Sequence, residues 1–172
     1  MKQLVLALFG LLALPAHAAE LRVIGMTNDA IDIQAPDPTI ACTHQITGQF
    51  VPGDADRMAR SLRSSIEGWR NQGQYGVSVI CLDSPGGAIS EALKLGAVLR
   101  EMAIGTRLEA GARCESACAL LFMAGSFHAH ESGYYKWRVM HPTARLGFHA
   151  PSLQVGRGDY DAATVTRAYA LA

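Results

Sequence analysis

Residues 77–102 read VSVICLDSPGGAISEALKLGAVLREM. The run Val77 to Leu82 has the length and β-branching of a buried strand. Asp83-Ser84-Pro85-Gly86-Gly87 is a sharp turn. Ala88 to Ala103 then reads as a helix, with Ile89, Leu93, Gly96, Ala97 and Met102 giving it a partly small, apolar face. A strand that passes through a two-glycine turn into a helix is half of a βαβ unit, so the segment sets the expected class as α/β with a parallel sheet.

The flanking sequence keeps this rhythm. Upstream, Glu20 to Gly25 forms a short strand, Asn28 to Pro38 is a loop, and Gln45 to Val51 is a second strand. Pro52-Gly53-Asp54 makes a turn, with Asp54 a fair N-cap. Ala55, Met58, Leu62, Ile66 and Trp69 recur at helical spacing and predict an amphipathic helix over Asp56 to Arg70, which Gln72-Gly73-Gln74 breaks. Downstream come a short strand at Thr106 to Ala110, a buried helix at Ser116 to Gly125 and a polar, aromatic loop or hairpin at His128 to Trp137. A strand at Arg145 to His149 and a helix from Asp159 to Ala172 complete the pattern.

Composition narrows the class of partner. Of the 172 residues, 49% are apolar and 17% charged, which suits a globular domain. Lys+Arg and Asp+Glu are both 15, so there is no basic surplus with which to neutralise a nucleic acid. Met1-Lys2, the apolar run Leu4 to Leu14, Pro15 and Ala16-His17-Ala18 read as a secretory signal peptide over residues 1–18. The apolar run is well short of the ~20 residues of a spanning helix. No stable membrane span is expected once the signal is cleaved, and export to a bacterial periplasm is the expected localisation. In that oxidising setting Cys42, Cys81, Cys114 and Cys118 can pair in three ways, and buried free thiols remain an alternative.

Three segments fall at the C-terminal ends of strands, where α/β proteins gather functional groups. The Ser84-Pro85-Gly86-Gly87 turn can present backbone N–H groups to a phosphate or an oxyanion, or can simply be a tight turn. It lacks the Lys-Ser/Thr of a P-loop and the third glycine of a dinucleotide fingerprint. In CESAC, Ser116 is either a plain N-cap or a nucleophile, with the Ala117 N–H aimed at the same place. His149 could serve as the base, whereas His44, just ahead of a strand, reads as a surface residue. His128 and His130 with Cys114 and Cys118 fit no zinc spacing, and no metal or other cofactor is called for.

Taken in order, ITGQFVPGDADRMARSL, LDSPGGAISEALKLGAVLREM, CESACALLFMAG and PTARLGFHAP resemble the proteolytic-subunit family of Clp proteases, within the wider Clp/crotonase superfamily. The cysteine-flanked serine and the signal peptide look like exported Clp-like proteins of bacteria. The resemblance implies repeated βαβ units over residues 44–172, preceded by a strand and loop at 19–43. It implies Ser116 as nucleophile, His149 as general base and the N–H groups of Gly87 and Ala117 as oxyanion hole, with Ser84, Pro85 and Gly86 supporting the turn. The expected reaction is amide or ester hydrolysis of a peptide or protein substrate through an acyl-enzyme. A homo-oligomer is a further family-level expectation.

The family's third triad member, an aspartate well downstream of the histidine, has no counterpart. Asp159 and Asp161 are the nearest acids, and a truncated domain is one expectation. About eight residues around His130 to Trp137 are extra to the family pattern. Two alternatives stand beside the serine hydrolase: a serine–lysine dyad using Lys94 or Lys136, and a catalytically incomplete Clp-fold envelope protein that binds or assembles.

Overall fold

A computed structural model describes residues 18–26, 39–129, 133–150, 158 and 160–171. Residues 1–17 of the expected signal peptide, the expected loop at 28–38, His130 and Asp159 lie outside the described residues. In chain order the elements are β1 (Glu20–Val23), β2 (His44–Thr47), α1 (Asp54–Asn71), β3 (Val79–Asp83), α2 (Ile89–Glu101), β4 (Gly105–Leu108), β5 (Arg113–Glu115), α3 (Ala117–Phe122), β6 (Ser126–Ala129), β7 (Gly133–Lys136), β8 (Arg138–Met140), β9 (Arg145–Gly147) and α4 (Ala162–Leu171).

The protein is mixed α/β. Its main sheet has the order β1-β2-β3-β4-β8, in which β1 is antiparallel to β2 and the other neighbours are parallel. β3 lies at the centre and is buried from Val79 to Leu82, which explains its unbroken apolar run. On one face α1, α2 and α3 pack through Met58, Leu62, Ile66, Leu95, Leu99 and Leu121. On the other, a smaller cluster of Ile40, Cys42, Val79, Cys81, Phe127 and Trp137 closes the sheet. Two small ribbons stand apart from the main sheet: parallel β5-β9 and the antiparallel hairpin β6-β7.

Helix α1 starts two residues earlier than its periodicity predicts. Asp54 is not its N-cap: Gly53 holds that place with φ 93°, and Asp54 is already helical. The buried Asp54 carboxylate instead accepts the Val51 N–H at 2.9 Å and pairs with Arg57 at 2.6 Å. A glycine cap has no side chain to satisfy the first N–H groups of a helix. Glu91 of α2 supplies that function from a neighbouring element, its Oε2 accepting from Gly53 N at 3.2 Å and Ala55 N at 3.0 Å. The Ala55 N–H and Lys94 hold the Glu91 carboxyl below its ordinary value, against the opposing effect of burial.

Three sequence expectations are corrected. The inward face of α2 is Glu91, Ala92, Leu95, Gly96 and Leu99, and Leu93 is 56% exposed. The face is rotated because α2 turns Glu91 toward the start of α1 and Gly96 toward α3, where a Cβ at Gly96 would stand 3.1 Å from that of Ala124. His44 is not on the surface: it is fully buried as the first residue of β2, 2.8 Å from Ser65 Oγ, 2.9 Å from Thr43 Oγ1 and with its ring tilted against that of Trp69, centroids 5.1 Å apart. Burial pushes its pKa from 6.5 down to about 4, so the ring is neutral near pH 7. The strand expected at Arg145 to His149 ends at Gly147, which leaves His149 in the segment after it.

Candidate active site at the Ser116 turn

The chain reaches Ser116 from β5 and leaves it as α3, a sharp strand-to-helix turn. Ser116 has φ 56° and ψ −121°. Those angles belong to the first central position of a type II′ turn, which glycine ordinarily fills because a Cβ is strained there. A serine held in such a conformation has its side chain thrust outward from the turn, the arrangement of a nucleophile elbow. Ser116 is not a plain N-cap, since its side chain makes no capping hydrogen bond to α3.

The glycine turn packs directly on this serine. A Cβ added to Gly86 would lie 2.5 Å from Glu115 O, 2.7 Å from Ser116 Cβ and 3.0 Å from Ala117 N. Gly86 and Gly87 both have positive φ, at 97° and 130°. Only glycine brings the two backbones this close without strain. Ser84 stitches the segments together. Its N–H donates to Arg113 O at 2.7 Å, and its carbonyl accepts the Glu115 N–H at 3.1 Å. Its hydroxyl donates to Gly48 O at 2.5 Å and accepts the Gly86 N–H at 3.1 Å. Pro85 is the exposed residue between Ser84 and Gly86.

The two N–H groups expected to serve as oxyanion donors, those of Gly87 and Ala117, are both left without a described acceptor. Gly87 bridges to Phe50 through its neighbours: Gly86 O accepts from Phe50 N at 2.8 Å, and Ala88 N donates to Phe50 O at 2.9 Å. The Gly87 N–H therefore faces away from Phe50, and no described residue accepts it. Ala117 is the first residue of α3, so its N–H has no partner within the helix, and no described residue takes it either.

His149 arrives by strand register. β5 and β9 are parallel with Glu115 opposite Gly147, and the Ser116 N–H donates to Gly147 O at 2.8 Å. Ser116 and His149 thus leave the same end of the ribbon. His149 is exposed, and among the described residues it makes no hydrogen bond to Ser116. Its Nδ1 lies 2.9 Å from Ala150 O. A carbonyl can only accept, so Nδ1 carries the hydrogen of that bond and the neutral ring leaves Nε2 as its free acceptor. That is the tautomer a general base needs, fixed here by a backbone oxygen where a triad uses a carboxylate.

The other sequence candidates are placed elsewhere. Lys94 is exposed on α2, its Nζ paired at 3.0 Å with Oε1 of the buried Glu91. Lys136 lies on β7 and lines a cavity of about 450 Å³ with Tyr134, Tyr135, Met123 and Arg138. Asp161 accepts the Thr164 N–H at 2.6 Å at the start of α4. His128 packs edge-on to Tyr134. The four cysteines form Cys42–Cys81 and Cys114–Cys118, so none offers a thiolate to a metal. Sequence reasoning had no means of choosing this pairing, and it gave no sign of the positive φ at Ser116.

No described helix is long and apolar enough to cross a membrane. No family model matches the chain, and no curated protein matches it.

Proposed function

We propose that this protein is an exported, Clp-like serine hydrolase acting on peptide or protein substrates, with Ser116 as nucleophile and His149 as general base. The observation that carries the reading is the strained Ser116 turn, with the unclaimed N–H groups of Gly87 and Ala117 beside it. The Gly86 contact with Ser116 and the β5-β9 register support it by bringing the three sequence segments to one place. In this mechanism Nε2 of His149 takes the Ser116 hydroxyl proton as Oγ attacks the substrate carbonyl. The Gly87 and Ala117 N–H groups stabilise the oxyanion, and the protonated histidine then delivers its proton to the leaving amine or alcohol. Water repeats the sequence to release the acyl group. The repeated βαβ units of the Clp/crotonase fold, periplasmic residence and homo-oligomer formation belong to the same proposal.

The test is covalent labelling with a fluorophosphonate. Wild-type protein should be labelled on Ser116, and Ser116→Ala and His149→Ala should lose most or all of it. A second reading, a Clp-fold envelope protein that binds or assembles without catalysis, is favoured by the exposed His149 that makes no bond to Ser116. Absence of label on folded wild-type protein would select that reading.

A further inference from the structure

Cys114 and Cys118 are both fully buried and disulfide-bonded, and Ser116 sits midway between them. The bond joins strand β5, just before the serine, to the first turn of α3, just after it. Its Cα atoms are 5.1 Å apart, whereas four residues of extended strand would span about 13 Å. The ring therefore admits only a tightly folded path through residue 116. Hydrogen bonds fix the rest of that path. The Ser116 N–H is held by Gly147 O, and its carbonyl accepts from Ala119 N at 2.9 Å and Leu120 N at 3.3 Å. Those bonds anchor the two ends of the turn, but neither the short β5 nor the six-residue α3 is long enough to enforce a positive φ between them. An unconstrained serine would relax toward negative φ and lose the outward thrust of its side chain.

We propose that the Cys114–Cys118 disulfide is the positioning element of the site: it holds Ser116 in its nucleophile conformation, so reactivity depends on the oxidation state of this one bond. The inference rests on the hydrolase reading for its consequence in reactivity, and on geometry alone for the conformational restraint. Reduction by a dithiol transfers two electrons and two protons. The S–S bond breaks, Cys114 and Cys118 become thiols, and the reductant closes into its own disulfide. The cysteines touch no substrate and act only through Ser116.

The experiment measures the fluorophosphonate inactivation rate, separated into the maximal rate and the apparent binding constant. Dithiothreitol treatment, with both thiols verified by mass spectrometry, should lower the maximal rate at least tenfold and change the binding constant less than threefold. Reoxidation should restore it. The C114A/C118A variant, which retains Cys42–Cys81, should label at the low rate with or without reductant. A folded C114A/C118A that labels within twofold of wild type would overturn the proposal. If that variant does not fold, unchanged labelling of reduced wild type would do the same. Should no form label Ser116, the hydrolase reading fails, and the restraint is still read by stability. The gap in Tm between S116G and S116A should shrink by more than half once the disulfide is reduced or removed, and an undiminished gap refutes it.

Discussion

Replacing Ser116 by alanine and by glycine gives the most direct test of the strained turn. Alanine keeps a Cβ and so keeps the strain of φ 56°, ψ −121°; glycine removes it. A non-glycine residue in such a region costs about 1–3 kcal/mol. Glycine also frees the unfolded chain, which costs about 0.5–1 kcal/mol. The difference leaves S116G more stable than S116A by up to about 2.5 kcal/mol, or up to roughly 10 °C in Tm for a domain of this size. Loss of the hydroxyl itself should matter little, within about 0.5 kcal/mol, because no described residue bonds it. Urea and thermal unfolding of the two variants, compared side by side, supply the numbers. Both variants should be unreactive toward the fluorophosphonate, and in S116G the strain is relieved as reactivity is lost. If S116G is less stable than S116A by about 0.5 kcal/mol or more, the full glycine cost, the turn carries no strain and the argument from the serine's conformation falls.

Three other perturbations have defined outcomes. Gly86→Ala should destabilise the protein by about 2–4 kcal/mol and abolish Ser116 labelling, since its Cβ would press on Glu115 O and Ser116 Cβ in a positive-φ backbone; wild-type stability in this variant would refute the close approach. His44 gives a pH dependence: its folded pKa of about 4 lies below the unfolded 6.5, so the unfolded state binds the proton first as pH falls. Stability is full above about pH 6.5 and should drop by about 2 kcal/mol between pH 7 and 5, a slope that His44→Gln flattens in urea melts. Glu91→Ala should cost about 1–2 kcal/mol by uncovering the Gly53 and Ala55 N–H groups, and chemical unfolding with a loss below about 0.3 kcal/mol would remove Glu91 from that role.

Elements with a long, one-signed pattern were legible in the sequence. The β3–turn–α2 segment and the buried stripe of α1 follow directly from apolar spacing and paired glycines. β5 and β8 were not legible, because each is three residues long and takes its strand character from a partner distant in sequence. His44 reads as a surface residue because only the folded state supplies Ser65 and Thr43 to satisfy its two nitrogens. For the candidate site, Ser116, Gly87, Ala117 and His149 are expectations from the family resemblance, and the backbone brings their segments together. The strain at Ser116 and the Nδ1 contact that sets the His149 tautomer depend on backbone angles that no local residue pattern encodes.

The Glu91 carboxylate at the start of α1 also bears on how the chain folds. Most of a helix's stability in a protein comes from tertiary packing, and this helix opens on a glycine with no side chain to cap it. Its missing acceptor comes from a residue 38 positions later in the chain, beyond β3 and the two-glycine turn. The first turn of α1 is therefore completed only when α2 docks, and the two helices should gain protection from hydrogen exchange as one cooperative unit. A nascent chain ending before Glu91 would carry an α1 whose N-terminus frays, so this layer of the protein is set late in synthesis, when α2 emerges.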